Sequence, residues 1–223
     1  MADDTAAQDR RRELAGVAWA AATSLEAAHR AREAGLRSCR TTIRESSRAI
    51  RAVHRLDRET FGARLHDAEE ALRAAQGSLA QFPEVAHAGF LRDAEKEYAE
   101  AVLTAALVGG ELLPDAAALR IGLPAWLNGL AEAASELRRH LLDRLRDGDP
   151  AAAEALLCEM DAVYELLVGV DYPDAITGGL RRTTDALRAV LERSRSDLTL
   201  TLVQERLVRA LEGPRASRDP ASR

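Results

Sequence analysis

Apolar residues recur every three or four positions along almost the whole of this chain. The residues that break helices fall between the periodic stretches rather than within them. Alanine, leucine, arginine and glutamate dominate, all strong helix formers. A parallel sheet needs runs rich in valine and isoleucine, which are missing, and a β-sandwich is equally poorly served when only 4% of residues are aromatic. The pattern predicts an all-α fold. With 223 residues, 47% of them apolar, the chain is long enough for one ordinary domain with a sizeable core.

The segmentation follows the breakers. One helix is predicted over about Thr5 to Glu33, then a break or a tolerated glycine at Gly35, then a second helix from Leu36 to Thr60. A third runs from Ala63 to Gln81. Pro83 suits the first turn of a fourth, which reaches Val108 before Gly109 and Gly110. A short helix is expected after Pro114 and Asp115, and a longer one from Pro124 to about Asp147. Asp149 and Pro150 read as N-cap and N1 of a helix ending near Val168. Asp171, Tyr172, Pro173 and Asp174, with Gly178 and Gly179, form a turn cluster. A last helix spans Gly179 to Leu211. About seven helices with short links make a bundle. It is expected to be a single domain over residues 1–212, followed by a disordered tail, GPRASRDPASR, over 213–223.

Several function classes are excluded at this stage. Cys39 and Cys158 lie far apart and outside any CxxC or CxxH pattern, so neither a disulfide framework nor a cysteine zinc site is expected; both read as small buried side chains. No apolar stretch reaches membrane length, and the N-terminal segment carries no cleavage-site pattern. The expected setting is soluble and cytoplasmic. There is no P-loop and no GxGxxG. The five histidines show no shared metal spacing, and Ser46, Ser47 and Ser135 have no adjacent base. His54, among arginines, reads as a polar-face residue or a phosphate contact.

The net charge of −5 discourages a nucleic-acid reading until its distribution is considered. Residues 35–58 carry a local charge of +5, and residues 59–212 carry −11. Within the basic segment Arg37, Arg40, Arg44, Arg48, Arg51, Arg55 and Arg58 are spaced 3, 4, 4, 3, 4 and 3. At ~100° per residue all seven fall within a sector of roughly 80°. Leu36, Cys39, Ile43, Ile50 and Val53 occupy a different side, which can face a core. Seven like charges in a row repel, and a nucleic-acid backbone supplies anions in a matching row. A solvated face, or ion pairs with an acidic helix or subunit, accounts for the same spacing.

The acidic residues form a second pattern. Glu97 and Glu100 are spaced i, i+3 in KEYAEA; Glu132 and Glu136 are spaced i, i+4 in GLAEAASEL. Each pair points to one face of its helix, with small alanines around it. Two such pairs facing each other would need a cation or protons, and Mg²⁺ or Mn²⁺ suits carboxylate oxygen. Neither pair has the EXXH spacing of a ferritin-like di-iron site. Surface glutamates, with Glu136 and His140 as an ordinary i, i+4 pair, fit the spacing too.

Three blocks then carry a resemblance. DYPDAITGGLRRTTDALRAVLERSRSDLT resembles the C-terminal region of the translin/TRAX family, KEYAEA resembles that family's EYxEA element, and PAWLNGLAEAASEL resembles its P-x-x-Y-L-x-G-x-x-D-x-x-G-E-L element. Their order, with the arginine-rich helix upstream, fits the family over roughly residues 35–211. The resemblance implies a seven-helix fold that assembles into closed homo-oligomers, often octameric shells with an inner cavity. It implies binding of single-stranded RNA, or single-stranded DNA, in translin-like members, and Mg²⁺-dependent cleavage of single-stranded RNA in TRAX-like members. Carried over by position, the catalytic and metal-binding residues are Glu97, Glu100, Glu132 and Glu136, and the arginine stripe holds nucleic acid. Glu132 stands where the family has Asp, Trp126 where it has Tyr, and Ser135 where it has Gly. The expected function is a Mg²⁺- or Mn²⁺-dependent endoribonuclease. The alternatives are a non-catalytic single-stranded nucleic-acid-binding protein and a scaffold subunit that needs a partner chain.

Overall fold

A computed structural model describes residues 2–212, and within them the chain is all-α. The expected tail, 213–223, lies outside the described residues. Six long helices and two single-turn ones follow in order: α1 (Ala2–His54), α2 (Arg58–Leu79), α3 (Pro83–Ala86), α4 (Phe90–Gly109), α5 (Leu123–Arg146), α6 (Pro150–Val168), α7 (Asp174–Thr177) and α8 (Leu180–Glu212). Helix α5 is the hub, packing against α4, α6 and α8; α1 lies on the far side, against α2 and α4. The core is mostly leucine and alanine: Leu72 from α2, Leu103 from α4, Leu130 and Leu137 from α5, Met160 from α6 and Leu187 from α8 are all fully buried. No helix among the described residues is long and apolar enough to cross a membrane.

The two helices expected over 5–60 are one helix of 53 residues, about 80 Å long at 1.5 Å per residue. Gly35 does not break it. A Cβ there would meet the Leu79 side chain at 3.0 Å, so this glycine is where the end of α2 packs down on α1. Ahead of that point, residues 8–26 are exposed throughout, including Leu14, Val17, Trp19 and Leu25. At its other end α1 stops six residues short of the expected Thr60. Leu56 takes a left-handed φ of 57°, and the Asp57 side chain caps α2 by accepting from the Thr60 amide at 3.0 Å.

The fourth expected helix is split. Gly89 takes φ 99° between the single turn of α3 and the start of α4. The short helix expected after Pro114 is instead a series of turns. The carbonyl of Leu119 accepts from Arg73, and that of Arg120, itself at φ 53°, accepts from Arg73 and Gln76, so these groups are claimed by α2. Trp126 anchors the same loop by donating from its indole nitrogen to the Pro114 carbonyl at 2.8 Å. The α6 start is as expected: Asp149 accepts from the Ala152 amide at 3.0 Å, with Pro150 in the first turn. Cys158, expected to be buried, is exposed, because the core face of α6 is Ala153, Leu157, Met160, Val163 and Leu167.

Helices α4 and α5 touch almost backbone to backbone. A Cβ on Gly129 would lie 2.7 Å from Ala99 Cβ, 2.9 Å from the Lys96 carbonyl oxygen and 3.0 Å from the Glu100 amide nitrogen. Ala99, Ala131 and Ala133 are fully buried around this crossing. Replacing Gly129 by Ala would gain about 1 kcal/mol of helix propensity at an ordinary site. Here the added methyl meets backbone that cannot rotate away, so Gly129→Ala should destabilise the protein by about 1–3 kcal/mol, measured by urea unfolding.

Candidate functional site

The α4–α5 crossing brings the expected carboxylates together. Glu97, Glu100 and Glu132 each offer an oxygen, and these oxygens lie within 4.8 Å of one another. The i, i+3 spacing puts Glu97 and Glu100 on the face of α4 that meets α5, and Gly129 lets the α5 backbone come close enough for Glu132 to join them. Glu100 is buried, at 8% exposure, while Glu97 and Glu132 are half-buried. Glu136, one turn further along α5, raises the Glu100 pKa by its charge but spends its own carboxylate elsewhere. Its Oε2 lies 2.6 Å from His54 Nε2, at the end of α1.

The cluster contains a cation that spacing did not reveal. Lys96 Nζ donates to both oxygens of Glu132, at 2.8 and 2.7 Å, and lies 3.1 Å from Glu97 Oε1. Burial would lower the lysine pKa, but the hydrogen bond and charge of Glu132, helped by Glu97, outweigh it and hold the pKa above the ordinary value. Glu100 has no such partner. Burial first, then the charges of Glu132 and Glu97, push its pKa up to about 9, and a hydrogen bond to Glu132 adds to the shift. At neutral pH Glu100 therefore holds a proton. Lys96 is the only lysine in the sequence, and that singularity was the one available signal; its partner Glu132 lies 36 residues away.

A histidine pair borders the cluster. His54 Nδ1 is 3.1 Å from His140 Nε2, and the rings are 5.1 Å apart. An ionised Glu136 only accepts, so His54 Nε2 carries a proton toward it, and the Nδ1 of a neutral His54 accepts from His140. Burial, then the neighbouring His54, lowers the His140 pKa. The expected i, i+4 partnership of Glu136 with His140 is thus replaced by a chain, His140 to His54 to Glu136. The His54 side chain is therefore buried with both ring nitrogens engaged inside the protein, not on a solvated polar face.

The arginine stripe is shorter than expected. Arg37, Arg40, Arg44, Arg48 and Arg51 lie along α1 and are exposed. Arg55 falls in the turn after α1, and Arg58 opens α2, because the helix ends at His54. Two stripe members are tied to a buried carboxylate. Glu45, 4% exposed, accepts from Arg44 Nε at 2.9 Å and Arg48 Nη1 at 2.9 Å, with Arg64 of α2 at 3.4 Å. Burial alone would raise the Glu45 pKa; the hydrogen bonds and charges of Arg44 and Arg48 outweigh it and hold it below the usual value. Arg51 donates to Ser47. Arg37, Arg40, Arg55 and Arg58 make no ion pair among the described residues.

No family model matches the sequence. The chain is 30% identical over 175 residues to the uncharacterized protein MJ0175 of Methanocaldococcus jannaschii, covering 78% of this chain and 77% of that one. Among solved structures, AfC3PO, a translin/TRAX complex from Archaeoglobus, matches with a TM-score of 0.75 and 32% identity in its complex with duplex RNA, over 82% of this chain and 95% of that one. AfC3PO without RNA gives 0.74 at the same identity, over 82% and 96%. Apo-NeC3PO gives 0.73 at 14% identity, over 80% and 94%, a likeness of fold alone.

The raised pKa of Glu100 has a definite sign. The folded state keeps the proton up to about pH 9, while the unfolded chain releases it above its ordinary value near 4.5. Stability from this group is full below pH 4.5 and is lost as pH rises toward 9. A glutamine stays neutral throughout. In EDTA, Glu100→Gln should match the wild type near pH 4.5 and exceed it by several kcal/mol, at most about 5, at about pH 8, measured by urea unfolding across that range.

Proposed function

We infer, because this chain belongs to the translin/TRAX family, that it acts on RNA, and we propose that it is a divalent-metal-dependent endoribonuclease. The observation that carries this reading is the convergence of Glu97, Glu100 and Glu132, one of them buried without a cationic partner. A set of carboxylate oxygens is the donor chemistry that Mg²⁺ and Mn²⁺ take. These three residues would hold the ion, with Glu136 beside them. When bound, the ion supplies a Lewis acid that lowers the pKa of a water and offsets charge developing on the phosphate.

The chain's own residues do the rest. For those carboxylates to hold an ion, Glu100 would have to be ionised, its proton passing to solvent, and Lys96 would have to leave Glu132 free. The longer Glu132, in place of the family's Asp, is the residue that Lys96 holds through both oxygens. His54, supported by His140, orients Glu136 beside the cluster. The exposed arginines of α1 hold the RNA backbone without reading sequence. Single-stranded RNA is the proposed substrate, and duplex RNA, the ligand of the AfC3PO complex, is the comparison. The acting form is a closed homo-oligomer.

Lys96 also favours a second reading. A lysine that already neutralises Glu97 and Glu132 is what a non-catalytic RNA-binding member, holding no metal, would need. Cleavage assays separate the two. With Mg²⁺ or Mn²⁺ the wild type should cleave single-stranded RNA, and Glu100→Gln should lower the rate more than about 100-fold while leaving RNA affinity unchanged. Wild-type protein inactive with both metals overturns the nuclease reading in favour of the binding one.

The stripe needs its own test, and Arg44 and Arg48 are left out of it because they hold a buried carboxylate. Replacing Arg37, Arg40 and Arg51 by Ala should weaken binding to RNA of any sequence. It should also flatten the slope of log K against log salt, by up to about 0.7 for each single-strand phosphate that is no longer neutralised. An unchanged slope, measured by fluorescence anisotropy, means that the replaced arginines do not touch RNA.

A further inference from the structure

A recess of about 270 Å³ opens beside the carboxylate cluster, between the first turns of α4 and α5 and the turn joining α7 to α8. It shares Lys96 and Glu132 with the cluster. Two more cations line it, Arg92 from α4 and Arg182 from α8. Both are exposed, and neither makes an ion pair among the described residues. Of the two acids on the wall, Glu132 is already satisfied by Lys96, which leaves Asp93 alone against two guanidinium groups.

The frame around these arginines is fixed. Gly178 takes φ 66°, and a Cβ there would meet Arg92 Cδ and Nη1 at 3.4 Å, so the bare turn lets the arginine lie across it. Asn128 of α5 donates to the Thr177 carbonyl at 2.9 Å and accepts from Thr183 Oγ1 at 2.6 Å. Those two bonds, one on each side of the turn, pin the start of α8 and with it Arg182. Two unpaired guanidiniums that extend into one recess from a hydrogen-bonded backbone suit the tetrahedral oxygens of a phosphate, which each can meet with two parallel N–H donors.

We propose that this recess is a phosphate subsite, in which Arg92 and Arg182 grip a phosphate of the RNA directly beside the carboxylate cluster. The arginines of α1 give affinity along the strand; this subsite sets which phosphodiester faces the carboxylates. The identity of the phosphate as part of RNA rests on the proposed function, whereas phosphate binding itself does not.

The test is made in EDTA, so that cleavage and metal play no part. Thermal unfolding is followed while inorganic phosphate is titrated into wild type and into Arg92→Ala/Arg182→Ala. The wild-type melting temperature should rise with phosphate; the variant should melt at the same temperature without phosphate and fail to respond to it. If alanine lowers the phosphate-free melting temperature, Arg92→Gln/Arg182→Gln, which keeps the side-chain stems, carries the same expectation. Binding of short RNAs should weaken roughly tenfold in the variant. A loss with both 5′-hydroxyl and 5′-phosphate RNAs identifies a backbone diester, and a loss confined to 5′-phosphate RNA identifies a terminal phosphate; both support the subsite. A phosphate response equal in both proteins, or absent from both, overturns it. If phosphate binds as expected but RNA does not bind at all, the subsite stands and the RNA reading falls. If RNA binds and the variant binds it equally well, the placing of RNA in the subsite falls while the RNA reading remains.

Discussion

The approach of α4 to α5 at Ala99 and Gly129 governs both the packing and the chemistry of this protein. Hydrogen in place of a side chain at Gly129 lets the α5 backbone come within van der Waals distance of the Lys96 carbonyl and the Glu100 amide. Small alanines on either side keep the crossing tight. Like charges on two helices would otherwise hold such surfaces apart. Here leucine and alanine burial along α4, α5, α6 and α8 supplies the force that brings Glu97, Glu100 and Glu132 together.

The cost of that convergence is divided in three ways. Lys96 neutralises Glu132 and Glu97 at hydrogen-bond distance, Glu100 keeps its proton, and Glu136 is turned toward His54. Each device is reversible: a lysine can move, a proton can leave, a histidine can tilt. Lys96, the Glu100 proton and His54 thus offset the mutual repulsion of the carboxylates within the protein itself. The basic side follows the same logic. Arg44 and Arg48 are spent on a buried Glu45, while Arg37, Arg40, Arg92 and Arg182 make no ion pair among the described residues.

The all-α class, the α6 cap at Asp149 and the i, i+3 pairing of Glu97 with Glu100 were legible because local spacing decides them. So was the likeness to translin and TRAX proteins, carried by three short blocks in order. What escaped was decided across the fold. Gly35 is the tolerated interior glycine rather than the break that local pattern allowed equally, because Leu79 packs there, and the stripe loses Arg55 and Arg58 to a cap at Asp57. Lys96 and Glu132 are 36 residues apart, and His54 and Glu136 are 82 apart, so no periodicity could pair them. The turn cluster at Gly178 and Gly179 was visible as a turn, but only the fold shows that it brings Arg92 and Arg182 to one recess.

The central proposal is that Glu97, Glu100 and Glu132 would together hold a divalent cation in the place that Lys96 occupies beside Glu132. A crystal soaked in Mn²⁺ and measured near the manganese absorption edge tests it directly. The account predicts an anomalous peak bonded to oxygens of all three glutamates, with Lys96 Nζ moved away from Glu132. A crystal with no peak there, and Lys96 still bridging Glu132 and Glu97, would contradict it.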